Sequence, residues 1–265
     1  MAPTPRPRRR ATRHVVALTA ALLGTAGCYR RSGIPPLPTI VPAAADSSGF
    51  ALARALAPVL YVQRDEYFPL ERVVAVVHPR CPIVAYVLDW KWDVNGQWVP
   101  WSKTSDEEEV WVGFDSASHQ ATDLWTYWHG TILHTDWRGR GQPAVSIQWG
   151  KHGSLPHGVI ESDLPGSRSL NVMYALEYVL LPDIWLGKLV HGGPWGFFHG
   201  YGRYRDFSRV INSADRLNAV LMTATPVGPL RSILGRRFAN KRPWPSTAPG
   251  AECPSTTDAL PTHAP

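Results

Sequence analysis

Asp106-Glu107-Glu108-Glu109-Val110-Trp111-Val112-Gly113-Phe114-Asp115 decides the architecture, because its alternation has a period of two. In a strand, successive side chains point to opposite faces. Val110, Val112 and Phe114 then form an apolar row facing a core. The same parity carries Glu108 and Asp106 onto that row and sends Glu107, Glu109 and Asp115 to the other. A carboxylate turned towards an interior needs a donor, a proton or a cation. The alternative is a strand that begins only at Glu109, with 106–108 a solvated acidic turn.

Upstream, Ile83-Val84-Ala85-Tyr86-Val87-Leu88 is apolar at every position, as expected of a central strand buried on both faces. Strands are expected over Val59–Gln63, Arg72–His78, Ile83–Asp93, Glu109–Asp115, Asp123–Trp128 and Ala144–Trp149, separated by turn signals such as Asn95-Gly96. Helices are expected at Ser47–Ala57, Leu170–Leu181 and Asn212–Met222, where Leu217, Val220 and Leu221 fall at helical spacing. The fold expected is mostly β with added helices: an antiparallel β-sandwich core, with helices in the C-terminal half.

Working outward, the chain of 265 residues is 44% hydrophobic and 18% charged, enough apolar material for a sizeable core. Its formal charge of +6 suggests a nucleic-acid binder, but five of the 27 basic residues lie within residues 1–27, which hold no acid. The remainder is nearly neutral, with 22 basic against 21 acidic residues, so a phosphate-seeking surface and a nucleic-acid partner are excluded. Val15–Gly27 is an apolar run of 13 behind a basic start, too short to span a bilayer and suited to a signal peptide over 1–27. Leu23-Gly24-Thr25-Ala26-Gly27-Cys28 resembles a bacterial lipobox, which implies a lipidated Cys28. Residues 28–46 read as a Pro-rich tether, 47–241 as the globular β-sandwich-based domain and 242–265 as a Pro-rich tail. The address is a bacterial cell envelope, anchored and facing outward. Tyr29, where an Asp would favour inner-membrane retention, leans towards the outer membrane. In such an oxidising compartment the remaining thiols, Cys81 and Cys253, can pair or stay separate.

The row Ile83, Ala85, Val87, Asp89, Lys91 and Asp93 brings a second acid to the strand's exit. If the loop returns Asp93 towards Asp106 and Glu108, three carboxylates make a site for Mg²⁺ or Ca²⁺. Tyr86 with Trp92-Asp93, a loop, and Asp106-x-Glu108-x-Val110-x-Val112 together resemble the necrosis-inducing (Nep-like) cytolysins and their vacuolar-sorting-type relatives, as does Val145-Ser146-Ile147-Gln148-Trp149-Gly150-Lys151-His152-Gly153. The resemblance covers roughly residues 57–155. It implies a β-sandwich with an acidic, cation-holding pocket at one end, used in the cytolysins to dock membrane sphingolipid sugars, with Asp93, Asp106, Glu108 and His152 around it. Two departures stand out: Glu107 where the family has Trp, and Lys103 where it has a metal-facing His. An ammonium at Lys103 would replace the cation outright.

The other constellations are weaker. His129 and His134, like His152 and His157, are five apart, without the His-Glu-x-x-His spacing of a zinc helix. Gly-x-Ser-x-Gly and Ser-x-x-Lys are absent from the domain, so no nucleophile motif supports an enzyme. The sequence thus points to an anchored envelope protein that binds a polar ligand, a glycan or lipid headgroup, at a cation-assisted acidic pocket. The alternative is an envelope hydrolase using paired carboxylates or a metal on a glycan or phosphoester.

Overall fold

A computed structural model describes residues 44, 46–64, 66, 68–78, 80–91, 106–164, 166–180, 203–222, 245 and 253. Cys28, Asp93 and Lys103 lie outside the described residues, as do the signal, nearly all of the tether and most of the tail.

The described chain opens with helix α1 (Ser48–Ala55), where the Ser47 hydroxyl accepts the Phe50 N–H at 3.2 Å. Ten strands follow: β1 (Val59–Val62), β2 (Leu70–Val77), β3 (Ile83–Trp90), β4 (Asp106–Phe114), β5 (Ala121–Trp128), β6 (Thr131–Asp136), β7 (Ala144–Ile147), β8 (Ser154–Pro156), β9 (Arg209–Asn212) and β10 (Leu217–Met222). Helix α2 (Ser167–Leu180) lies between β8 and β9. One sheet has the order β10-β2-β3-β4-β5-β6 and the other β8-β7-β1-β9.

Leu60, Val62, Val145 and Ile147 of the four-stranded sheet meet Val84, Tyr86, Val110, Val112 and Leu124 of the six-stranded sheet in one buried core. The result is a mostly β sandwich. Its ladders are antiparallel except for two parallel pairings, β1 with β7 and β10 with β2. All eight residues of β3 are buried, as its unbroken apolar run requires. Its inner row, Val84, Tyr86, Leu88 and Trp90, enters the core between the sheets. Its outer row, Ile83, Ala85 and Val87, joins Val74, Val76, Trp111 and Trp125 in a second cluster on the opposite face. The Tyr86 hydroxyl donates to the Ala53 carbonyl at 2.8 Å, which ties α1 to the core; burial pushes the phenol well above its usual range.

Two expectations need correction. Residues 212–222 are not a helix: Ser213–Arg216 make one 3₁₀ turn, capped by the Asn212 side chain, and Leu217–Met222 form β10. The strand puts Val220 in the core and Leu221 in the outer cluster, and a register shift between Leu217 and Ala219 lets Leu217 join Val220 on the core side, which imitates helical spacing. The acidic turn alternative also fails, because β4 is already paired at Asp106, opposite Trp90. Cys81 and Cys253 form a disulfide with Cα atoms 5.6 Å apart, closing a separation of 172 residues. Among the described residues, no helix is long and apolar enough to cross a membrane.

Candidate functional site

The site is built where β3 ends, β4 begins and the β7–β8 turn closes. Residues 148–153 form that turn: Gln148 donates its N–H to the Gly153 carbonyl at 3.0 Å, and His152 donates to the Gln148 carbonyl at 2.9 Å. The reversal needs left-handed backbone at Gly150 (φ +68°) and at His152 (φ +53°). A non-glycine residue in that region carries roughly 1–2 kcal/mol of strain, which its side-chain contacts must offset.

Those contacts are strong. The His152 ring is fully buried and stacks flat on Trp90, with centroids 4.3 Å apart and planes within 2°. The Phe68 ring meets it edge-on. Nδ1 lies 2.7 Å from Asp106 Oδ2, and Nε2 lies 3.6 Å from Glu66 Oε1, a charge contact longer than a hydrogen bond. Burial pulls the imidazole's pKa down. The hydrogen bond and charge of Asp106 and the facing Glu66 carboxylate outweigh burial and raise the pKa to about 10. His152 is therefore an imidazolium at neutral pH, donating from Nδ1 to Asp106. A cation on the indole face adds about 0.5–2 kcal/mol.

Glu66 is locked as well. Its Oε1 accepts the Phe68 N–H at 3.1 Å and its Oε2 accepts the Gly150 N–H at 2.8 Å. Its side chain is 1% exposed, whereas that of Asp106 is 14% exposed. The cluster thus runs from a hidden carboxylate through a hidden cation to a carboxylate that reaches the surface. Glu108 follows on the inner row, opposite Leu88, and is buried.

The structure brings Asp106 and His152 together and keeps Glu108 on their face. The row that was expected to carry Asp93 turns the other way over its described part. Asp89 lies with Ile83, Ala85 and Val87 and pairs with Arg72 across β2. Glu66 is not singled out by the sequence: it lies in the β1–β2 loop, where no periodicity marks it.

The four histidines spaced five apart in pairs do not converge on one point, and no two of them share a partner. His129 Nε2 meets Gln148 Oε1 at 3.0 Å, and His134 Nε2 meets Asp123 Oδ1 at 2.9 Å. His157 Nδ1 meets the Ser146 hydroxyl at 3.0 Å, and His152 takes the two acids. Among the described residues, no three His, Cys, Asp or Glu groups gather as metal ligands. A hard divalent cation wants six or more oxygens. Asp106 and Glu108 alone do not meet that demand, and one oxygen of Asp106 already serves an imidazolium.

No family model matches the chain, and no curated protein matches it. Solved structures similar to it include NLPPya in complex with glucosamine, at TM-score 0.32 and 16% identity, covering 45% of this chain and 72% of that one. NLPPya in complex with mannosamine aligns at TM-score 0.30 and 16% identity, covering 48% and 72%. A structure described as a toxin fold for microbial attack and plant defense aligns at TM-score 0.29 and 14% identity, covering 44% and 72%. The β-sandwich stands on its own two sheets and their shared core, not on these likenesses.

Proposed function

We propose that this chain is a cell-envelope protein, held to the membrane by a lipidated Cys28, that binds a polar glycan ligand or lipid headgroup at the acidic end of the sandwich. The supporting observation is the 2.7 Å contact between buried His152 and part-exposed Asp106. It fixes one carboxylate at the surface before any ligand arrives, and such preorganisation lowers the ordering cost of binding. Binding suits this geometry better than hydrolysis, because the carboxylate that reaches the surface is already held by an internal cation.

Hydroxyl and ammonium groups are the natural complements of such a carboxylate. Glucosamine, which carries both, is therefore the first probe. Calorimetry on the full chain with Cys28→Ser should detect it, and Asp106→Asn should weaken binding by about tenfold or more, the worth of a charged hydrogen bond. Equal affinity in both proteins rejects the site. A divalent cation enters the reading only if Asp93 joins Asp106 and Glu108. Saturating Ca²⁺ at a hundredfold excess over Kd would then add about 2.7 kcal/mol of stability, and an unmoved melting temperature removes it. The anchor is checked separately: Cys28→Ser should move the chain from the membrane fraction to the soluble one.

A further inference from the structure

The turn that carries His152 is held by the segment that leads into β9, and Gly153 marks the point of contact. Gly153 is not left-handed, so the position needs glycine for space. A Cβ there would stand 2.9 Å from the Tyr204 hydroxyl, 3.1 Å from Gln148 Oε1 and 3.2 Å from His129 Nε2. The Tyr204 hydroxyl donates to the Gly153 carbonyl at 2.8 Å, and the same carbonyl accepts the Gln148 N–H at 3.0 Å. The phenol thus reinforces the backbone bond that closes the turn, at the residue next to His152.

The neighbouring residue reaches the other half of the site. The Arg203 carbonyl accepts the Trp149 N–H at 3.1 Å and the Gln63 side-chain amide at 2.7 Å. Gln63 is buried, and its own carbonyl accepts the Glu66 N–H at 3.2 Å. Arg203 and Tyr204 therefore strap the turn that carries His152 to the loop that carries Glu66. Side chains anchor the strap in turn. The Arg203 guanidinium donates to Asn171 Oδ1 of α2 at 2.7 Å, and the Tyr204 ring packs on the cluster of Trp128, Leu133, Leu155 and Leu164. Left-handed backbone at a residue such as His152 persists only where its surroundings over-determine it, and this strap is one of the holds.

We infer that Tyr204 is a positioning residue: its hydroxyl on the Gly153 carbonyl holds the 148–153 turn against the Glu66 loop and so keeps His152 on Asp106. Among the described residues, Asp106 of β4 and Glu66 of the β1–β2 loop are the charged groups that face the ring. The charge on His152 depends on its distance to both, and the strap governs that distance. Phenylalanine would give the same ring to the cluster and leave the Gly153 carbonyl its bond from Gln148, so packing and positioning separate at one atom. The consequence for binding rests on the proposed reading of Asp106 as the ligand's carboxylate; the consequence for His152 does not.

Tyr204→Phe in the full chain with Cys28→Ser tests it, read by NMR titration of the His152 ring nitrogens. Urea unfolding should show the variant folded, since the ring and the backbone bond remain. The His152 midpoint should fall by about half a unit to one unit, the worth of one hydrogen bond. Glucosamine affinity should fall about three- to tenfold with it. Gly153→Ala disturbs the same contact from the turn and should lower the midpoint as well. Its further effect in the Tyr204→Phe background should be smaller, because the nearest atom that the new Cβ meets is gone. A purely structural Tyr204 would move the urea midpoint and leave the His152 titration in place, and that result overturns the inference. Full additivity of the two substitutions also overturns it, since the hydroxyl and Gly153 then do not act through one contact. If the His152 midpoint moves but glucosamine binds neither protein, the ligand reading fails and the positioning stands.

Discussion

Two histidines are buried beside carboxylates on opposite faces of the same sheet, and their environments differ by one acid. His152 on the inner side stands between Asp106 and Glu66. His134 on the outer side meets Asp123 alone, at 2.9 Å, and lies tilted over Trp125. With two acids, the imidazole's own pKa rises to about 10, despite complete burial. With one acid, the gain is seen on the carboxyl: burial pushes Asp123 up, but hydrogen bonds from His134 and Thr122 hold it below the usual range. His152 thus faces two carboxylates, and His134 faces one. The first can carry a binding site, because it leaves excess negative charge at the surface. The second ties one strand to its neighbour.

The sharpest break between the two faces should come from His152→Ala. It removes the only cation the described residues place between Glu66 and Asp106, and truncating one partner of a buried ion pair costs about 3–5 kcal/mol. His134→Ala leaves a single acid, which Thr122 still serves, and should cost clearly less. Urea unfolding measures both. Equal losses would mean that the second carboxylate at His152 contributes nothing.

The pH response separates the faces next. The folded pKa of His152 stands above its unfolded value of about 6.5. Its contribution is therefore complete below pH about 6.5 and is lost as pH rises towards about 10. Asp123 has the opposite sense. Its folded pKa is depressed, so its contribution is present above the unfolded carboxylate range and is lost as pH falls through the folded value. Melting temperature across pH 2–10 should show both limbs, and a His152 variant should flatten only the alkaline one. An alkaline limb of unchanged slope in that variant would place the titrating group elsewhere.

Much of the inner face is legible in the sequence. Alternation over Asp106, Glu108, Val110, Val112 and Phe114 requires one row, and the row lies on the core side as read. The apolar run of β3 marked a central strand for the same reason. What stayed hidden is non-periodic or two-sided. Glu66 is a loop residue that joins the site through Gly150 and His152, 84 and 86 positions away, so no local pattern announces that role. Strand β10 imitates helical spacing because its register shifts between Leu217 and Ala219, so that Leu217 and Val220 both reach the core. Strand β9 has exposed residues at three of four positions, and its Val210-Ile211 pair is too short to show a period. The alternating acids of 83–93 shared a row, but row parity within one strand does not say which face that row takes. Asp89 shows that it faces outward.

The smallest effect tests the outer pair without touching either of its members. Gly113 lies on β4 opposite Asp123 of β5, and a Cβ there would stand 3.0 Å from Asp123 Cβ and 3.0 Å from a Trp125 ring carbon. Contacts that close force a shift, and neither a strand Cβ nor a packed indole yields easily. Gly113→Ala should cost about 1–2 kcal/mol, at the low end for overpacking, because only one methyl is added. The displaced carboxylate should also lose part of its bond to His134. The acid limb of the pH profile should then move to higher pH, while the alkaline limb, set by His152 on the other face, keeps its midpoint. If both limbs move together, the two faces are coupled through β4, and the comparison between them fails at that strand.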